Sequence, residues 1–473
     1  MRAIVSTVLA AVLTTAAKGA DTPLFHAQGE LAGEPTQTTV ILQSRLTATE
    51  GLRDGDVPGA PGFACFELAR EAGFREVCQS EWVEATAERD FIVKVKVTGL
   101  QPETKYFYRL NFGPTRESAK PGPVRSFKTL PATDAETTVK FVMGNCMNYA
   151  FFQKGPKGTG EGAAPAEDRK LGYPSMEAIR KLQPDFFVGA GDNVYYDHPV
   201  AKSATTQEEM RRKWHEQFVQ PRLVSLFSDV PAYWLKDDHD YRYNDADPAG
   251  DKAPSHALGI STFMEQVPVV DPADKRPVTY RTYRVNKHLQ IWMLEGRDYR
   301  SANSMADGPK KTIWGDNQKS LLKQSLRNSD ATFKLVISPT PLVGPDDAKK
   351  RDNHTNPDGF RNEGDAFFAM LKERGVKNVF ILCGDRHWQY HSVHPSGVEE
   401  FCCGALNDEN SRFGPKPGAA DSTDPKGLIK QLYAQKEKSG GFLQVTITPG
   451  KTAEFSFYDD RGALLYKAVK PTP

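Results

Sequence analysis

The sequence predicts an α/β protein whose core strands are covered on both faces, preceded by a smaller β-sandwich. Three observations carry this. Residues 36–130 read as short strands with period-two alternation. From residue 138 onward, apolar strands alternate with helical segments. Four of those later strands run directly into clusters of carboxylate, imidazole, thiol and phenol side chains. Apolar strands separated by helices bury both sheet faces, which distinguishes them from the half-wet strands before them. A length of 473 residues suits two to four domains at ~100–200 residues each. With 39% hydrophobic and 26% charged residues the chain is globular, which excludes a disordered or collagen-like polymer. Lys and Arg number 61 against 60 Asp and Glu. No cationic surplus exists to hold nucleic acid or an acidic membrane by bulk charge.

Taken in order, the first element is an almost uncharged stretch from Ala3 to Ala17, introduced by Arg2 and closed by Lys18 and Asp21. It is too short to span a bilayer, and Ala17 and Gly19 are small enough for a signal peptidase. Residues 1–20 therefore read as a Sec-type signal peptide without a twin-Arg, and the protein as exported to a periplasm or beyond. Removing them, with Arg2 and Lys18, leaves 59 basic against 60 acidic residues. No later run of ~18 apolar residues predicts a transmembrane segment, and a monomer is expected.

Residues 21–131 form the predicted β-sandwich. Thr38–Gln43 and Phe91–Val97 alternate as strands, and Val124–Leu130 closes the unit. Between them, Pro102 marks a turn, and Tyr106 and Tyr108 fall on one face of the next strand. A buried Tyr tied back to the preceding corner is a device of such sandwiches, and the pattern looks like a fibronectin-III or immunoglobulin-like domain. Of the six cysteines, Cys65 and Cys78 lie here and are the expected disulfide of an exported chain. Adjacent Cys402 and Cys403 cannot readily bridge each other. Residues 131–137 read as a linker.

Residues 138–473 supply the second domain. Its strands are Val139–Met143, Phe186–Val188, Ala232–Leu235, Leu289–Leu294, Lys334–Ile337 and Asn378–Leu382. Its helices include Ser175–Leu182, with Ser175 as N-cap, a segment from Trp314 to Leu326 burying Leu321, Leu322 and Leu326, and Phe367–Arg374, stopped by Gly375. Residues 152–172 and 406–440 lack periodicity and read as surface loops. So does the run holding Asp346, Asp347, Lys349, Lys350 and Arg351.

The chemistry gathers at strand ends. The four clusters are Asn145-Cys146, Asp192-Asn193-Val194-Tyr195, Asp237-Asp238-His239-Asp240 and Asp385-Arg386-His387. In open α/β sheets, ligands bind beyond the carboxyl ends of strands, so the four are expected to converge. Gly144, Gly191 and Gly384 precede three of them and are expected to let the chain turn. Hard oxygen ligands suit Ca²⁺, Mg²⁺ or Mn²⁺, thiolate and phenolate suit iron, and imidazole suits zinc or iron. His391 shares a face with His387 if the strand continues, and His394, His354 and Asn356 are more remote candidates. No G-x-S-x-G, P-loop or paired nucleophile and base is present.

The stretches GNC at 144–146, GDNVYYD at 191–197, LKDDHDYRYND at 235–245, RDYRS at 297–301, ISPTPLVGPD at 337–346 and GDRHWQYHS at 384–392 together resemble the metallophosphoesterase superfamily, and within it the PhoD-type alkaline phosphatases. The resemblance implies a two-sheet α/β sandwich flanked by helices behind an N-terminal β domain. It implies hydrolysis of phosphate mono- or diesters by a metal-bound hydroxide, with Fe³⁺ and Ca²⁺ as cofactors, or alternatively Zn²⁺ or Mn²⁺. By the same resemblance Cys146, Asp192 and Tyr195 are ligands on the iron side, with Asp192 bridging. Asp238, Asp385 and His387 complete the metal set. His239 either backs the metal ligands or faces the leaving group, Asn145 and Asn193 are candidate ligands or phosphate donors, and Arg297 and Arg300 are candidates to clamp phosphate. Alternative readings are a purple-acid-phosphatase-like enzyme, whose opening D-x-G is replaced here by Gly144-Asn145-Cys146, and an inactive secreted binding protein.

Overall fold

The computed structural model describes residues 23–472; the expected signal peptide lies outside them. Two large sheets stack face to face. One has nine strands, in the order Leu464–Pro471, Thr452–Asp459, Gly441–Thr448, Val139–Gly144, Phe186–Ala190, Ala232–Leu235, Glu30–Gly33, Val40–Arg45 and Ile92–Val97. The other has seven, in the order Arg281–Arg284, Leu289–Met293, Phe333–Ser338, Val379–Cys383, Glu399–Cys403, Gln389–Val393 and Lys430–Ala434. Each is parallel at its centre.

Period-two alternation explains the layering. Phe141, Met143, Phe186, Val188 and Tyr233 point inward and meet Leu289, Ile291, Met293, Leu335, Ile337 and Leu382 of the facing sheet in one dry core. The intervening residues point outward. Val142, Phe187 and Trp234 pack under helices carrying Met176, Ile179, Trp214 and Leu223. Trp292, Val336 and Ile381 pack under helices carrying Leu322, Leu326, Phe367 and Leu371. The result is the helix-flanked two-sheet sandwich.

The N-terminal β domain shares this framework. Glu30–Gly33, Val40–Arg45 and Ile92–Val97 form one of its layers and also extend the nine-stranded sheet, through the parallel pair Gly33↔Ala232. Its second layer is a six-stranded sheet around Gly62–Ala69 and Lys105–Gly113, and the two enclose Val40, Leu42, Phe66, Leu68, Tyr108 and Phe127. The tyrosine corner is present: the Gln101 N–H donates to Tyr106 Oη at 2.9 Å.

Several sequence expectations need correction. Cys65 and Cys78 are both free, one buried and one exposed. The strand register sets Cys78 opposite Leu68. Cys65 is three residues from Leu68, or ~10 Å at the rise of a strand, beyond disulfide reach. The helix Pro174–Leu182 starts on its proline, so Ser175 lies inside it rather than capping it. Leu321 is 41% exposed on the helix Gly315–Asn328, while Leu322 and Leu326 are buried. The supposed loop 152–172 contains the helix Ala166–Leu171, and the 406–440 segment contributes the strand Lys430–Ala434. No helix among the described residues is long and apolar enough to cross a membrane.

Candidate metal centre

The parallel strands of both sheets deliver their carboxyl ends to one place. Cys146, Asp192 and Asp385 each follow a strand and each adopt a positive φ, of 54°, 53° and 61°. Left-handed backbone costs a non-glycine residue ~1–2 kcal/mol, and such strain concentrates at functional sites. The chain turns on these candidate ligands themselves, not on all three of the preceding glycines. Only Gly191 of the three has a positive φ, 102°. Gly384 is required for close approach: a Cβ there would lie 2.7 Å from Ala190 O and 2.9 Å from Pro339 O, where the two sheets meet.

Four overlapping donor groups result. Cys146, Asp192 and His387 form one, and Asp192, Asp238 and His239 a second. Asp192, Asp237, Asp238 and Asp385 form a third, and Asp238, Asp245 and Asp352 a fourth; within each, one ligand atom per residue lies within 4.8 Å of all the others. Asp192 belongs to three of the four. Its Oδ2 accepts from Cys146 Sγ at 3.2 Å and from Tyr195 Oη at 3.3 Å, and Tyr195 Oη is 3.4 Å from His387 Nε2. The sulfur-and-imidazole group suits a transition metal, and the adjoining all-carboxylate group suits a hard cation.

The electrostatics favour cations. Burial, then the Asp192 and Asp385 carboxylates, push the Cys146 thiol well above its ordinary range. Burial and Asp238 raise Asp192 similarly, against the opposing pull of His239. Asp237 Oδ2, Asp238 Oδ1 and Asp352 Oδ1 are buried with no hydrogen-bond partner. Orphaned buried carboxylate oxygens are costly, and a bound cation would satisfy them. The residues present therefore fit the metals that the resemblance implies.

Around this cluster lies a layer of holders. His239 is buried; its Nδ1 is 2.7 Å from Asp197 Oδ1 and its ring stacks on Tyr195 at 4.1 Å. Burial alone would lower its pKa, but Asp238, Asp192 and Asp197 push it up to about 10. Asp240 accepts from the backbone N–H groups of Asp192, Asn193 and Asp237 at 3.2, 3.0 and 2.6 Å, fastening two strand ends together. Asn145 bridges two others: its amide accepts from the Asp385 N–H at 2.7 Å and donates to Gly404 O.

Two sequence expectations change here. Asn193 spends its amide nitrogen on Leu235 O at 2.8 Å and Asp240 Oδ2 at 2.6 Å, so it holds the strand ends, while its Oδ1 is buried without a hydrogen-bond partner. Arg297 is fully buried. Its Nε donates to Asp237 Oδ1 at 2.6 Å, and its terminal nitrogens to Ala246 O at 3.0 Å and Asp352 Oδ2 at 3.1 Å. It braces carboxylates rather than clamping phosphate. Arg300 is similarly tied to Gly296 O and Asp352 O.

Other residues were not legible from strand-end motifs. Asp346, expected on the surface, is buried against Arg386 at 2.7 Å, and Arg386 also contacts Asp385. Asp352, Asp245 and Lys350 arrive on loops. Asn410, from the supposed surface segment, donates to Tyr195 Oη and Cys146 O, both at 3.0 Å. Asp197 was in view within the GDNVYYD stretch, and only its pairing with His239 was not. His391 is held by Tyr466 and Glu399, His394 by Ser396, and His354 by Glu363. Asn356 donates to the carbonyls of Ala348 and Lys350.

The model of the PhoD-like phosphatase family matches residues 143–454, and that of the PhoD-like phosphatase N-terminal domain matches residues 13–131. Alkaline phosphatase D of Bacillus subtilis (strain 168) is 23% identical over 398 residues, covering 77% of this chain; the match spans 64% of that protein's length. A solved structure of PhoD superposes with a TM-score of 0.71 at 19% identity, over 94% of this chain and 89% of that one. Purple acid phosphatase PPD1 from yellow lupin (Lupinus luteus) seeds superposes at 0.61 with 12% identity, over 95% and 74%. These two likenesses establish a common fold. Matched by the family's models along two consecutive stretches that together take in most of its length, the chain belongs to the PhoD-like phosphatase family.

Proposed function

We propose that this chain is an exported, metal-dependent phosphoric ester hydrolase. The observation that carries the reading is the meeting of Cys146, Asp192, Asp238, Asp385 and His387 in one buried cluster with orphaned carboxylate oxygens. Fe³⁺ on the Cys146–Asp192–Tyr195–His387 side and Ca²⁺ against Asp192, Asp238 and Asp385 match the donor chemistry. Bound there, such cations neutralise phosphoryl oxygens and make water a nucleophile near neutral pH.

The protein's own residues do the rest. Asp192 joins the two donor groups at a fixed spacing, and Tyr195, Asn410 and Asp240 fix the geometry around it. His239 has Nδ1 committed to Asp197, which leaves Nε2 to protonate the departing oxygen. Asp197, which lies outside the donor groups, favours the protonated ring. Arg297 and Arg386 offset the acidic cluster from behind. Export is supported by the uncharged stretch at residues 3–17.

The test is turnover of a chromogenic phosphomonoester and a phosphodiester by the purified protein, before and after chelation and with Ca²⁺ and iron restored. Metal-dependent release from either ester is expected. No turnover of either at any metal loading would leave the binding-protein alternative standing.

A further inference from the structure

A phosphoryl group held by cations keeps oxygens that turn away from them, and in phosphoryl transfer a protein cation clamps those. The arginines behind the centre are committed elsewhere. Arg297 is paired with Asp237 and Asp352, and Arg386 with Asp346 and Asp385. Arg300 holds the carbonyls of Gly296 and Asp352. All three are at most 4% exposed. Lys350 is taken by Asp245.

Arg412 differs from all of these. It is exposed, and among the described residues its guanidinium meets no carboxylate. It lies over the ring of Trp388, 5.7 Å from the centroid. Contact with a ring face uses the cation's charge and none of its N–H groups, so the donors stay free. The backbone, meanwhile, is fixed at the edge of the centre. Asn410 donates to Tyr195 Oη and Cys146 O, both at 3.0 Å. The Ser411 hydroxyl and the Arg412 N–H both donate to His387 O, at 3.3 and 3.0 Å. Gln435 Nε2 secures the segment by donating to Arg412 O at 3.0 Å. Among charged side chains, Arg412 acts most strongly on His387, ahead of Arg386. An unpaired guanidinium therefore stands next to a candidate ligand, on a stretch of chain anchored to three of them.

We propose that Arg412 contacts the substrate, its planar fork donating to two non-bridging oxygens of the phosphoryl group on the His387 side of the centre. The fork matches paired phosphate oxygens in spacing and charge. The task that Arg297 cannot perform from its buried position falls to a residue outside the strand-end motifs. This deepens the hydrolase reading and rests on it for the presence of a phosphoryl group at the metals.

The experiment is calorimetric titration of inorganic phosphate into the metal-loaded full chain, paired with metal analysis and turnover of a chromogenic phosphomonoester. Wild type, Arg412→Met, Arg412→Lys and Lys416→Met are compared. Arg412→Met keeps an apolar stem and removes the fork. It should weaken phosphate binding about tenfold or more and raise KM by a similar factor, with metal content unchanged. Arg412→Lys keeps the charge without the fork and should fall between it and wild type. Lys416 borders the neighbouring hollow of about 430 Å³ beside Trp388, and Lys416→Met should stay within threefold of wild type. Phosphate affinity of Arg412→Met within threefold of wild type overturns the proposal. An equal loss in Lys416→Met overturns it too, because the effect would then be a diffuse field. Loss of metal from Arg412→Met does the same, because the residue would then be a structural part of the His387 side. Crystals of the metal-loaded wild type soaked in phosphate give a reading that needs no variant. Phosphate oxygens are expected against the guanidinium, and a phosphate on the metals turned away from Arg412 contradicts the contact. A wild type that hydrolyses no ester yet binds phosphate through Arg412 would sink the hydrolase reading and leave this inference standing; turnover with no dependence on Arg412 would do the reverse.

Discussion

Replacing Asp192 with Asn should separate what the cluster costs the empty protein from what it provides to the loaded one. The carboxylate is buried among Asp237, Asp238 and Asp240, and burial, reinforced by Asp238, raises its pKa well above the carboxylate range. A raised folded-state pKa means that the metal-free fold loses stability as pH climbs from the unfolded value through the folded one. Asn keeps the shape without the charge. Metal-free Asp192→Asn should therefore be as stable as wild type at pH 7, or more so by ~1 kcal/mol, the low end of what an unsatisfied buried polar group costs. With metal the order reverses. A cation at 1,000 times its dissociation constant adds ~4 kcal/mol to the native state. At ~2 cal/mol/K of unfolding entropy per residue, a chain this long gains about 1 °C for each kcal/mol. Wild type should thus melt ~4 °C higher when loaded, and Asp192→Asn should show little rise and no measurable turnover. Differential scanning fluorimetry with and without Ca²⁺ and iron, paired with chromogenic-ester turnover, measures both. A full metal-induced rise in Asp192→Asn, with turnover within threefold of wild type, would refute the bridging role.

Other consequences are as specific. Asp197→Asn removes one of the carboxylates that raise His239; since the protonated form exists below the pKa, the alkaline limb of the kcat profile should move to lower pH. An unmoved limb would remove His239 from the proton-donating role. Arg297→Met leaves Asp237 and Asp352 without their guanidinium and should cost ~3–5 kcal/mol in urea unfolding, the penalty for breaking a buried pair; a loss below ~1 kcal/mol, the scale of a surface pair, would contradict its bracing role. Gly384→Ala drives a Cβ against Ala190 O and Pro339 O and should cost ~1–3 kcal/mol of overpacking while weakening metal binding through Asp385 and His387. Wild-type stability and metal affinity together would show that the sheet ends tolerate separation.

Much of the core and the strand-end clusters was legible because both are local. Apolar runs alternating with helical segments located strands such as Val139–Met143, and short polar runs directly after them located Cys146, Asp192 and Asp385. Residues arriving on loops carried no such signal. Lys350 and Asp352 sit in a charged, aperiodic stretch that resembles solvated surface, and only the path of the chain turns them inward; Asp245 stood in view at the end of the LKDDHDYRYND stretch, but its meeting with Asp352 did not. Asp346 misled for the same reason, since its burial depends on Arg386 waiting 40 positions away. The Cys65–Cys78 pairing failed because nearness in sequence says nothing about strand register. Gly33↔Ala232, which makes the N-terminal layer continuous with the larger sheet, joins residues too far apart for any local pattern to register.

The most direct test of the central claim is anomalous diffraction, collected at the iron edge and at a wavelength sensitive to calcium, on crystals of the active, metal-loaded protein. Iron density is expected against Cys146 Sγ, Asp192 and His387, with a second cation beside Asp192, Asp238 and Asp385. Full turnover from a protein whose only metal peaks lie elsewhere, or that has none, would contradict the account.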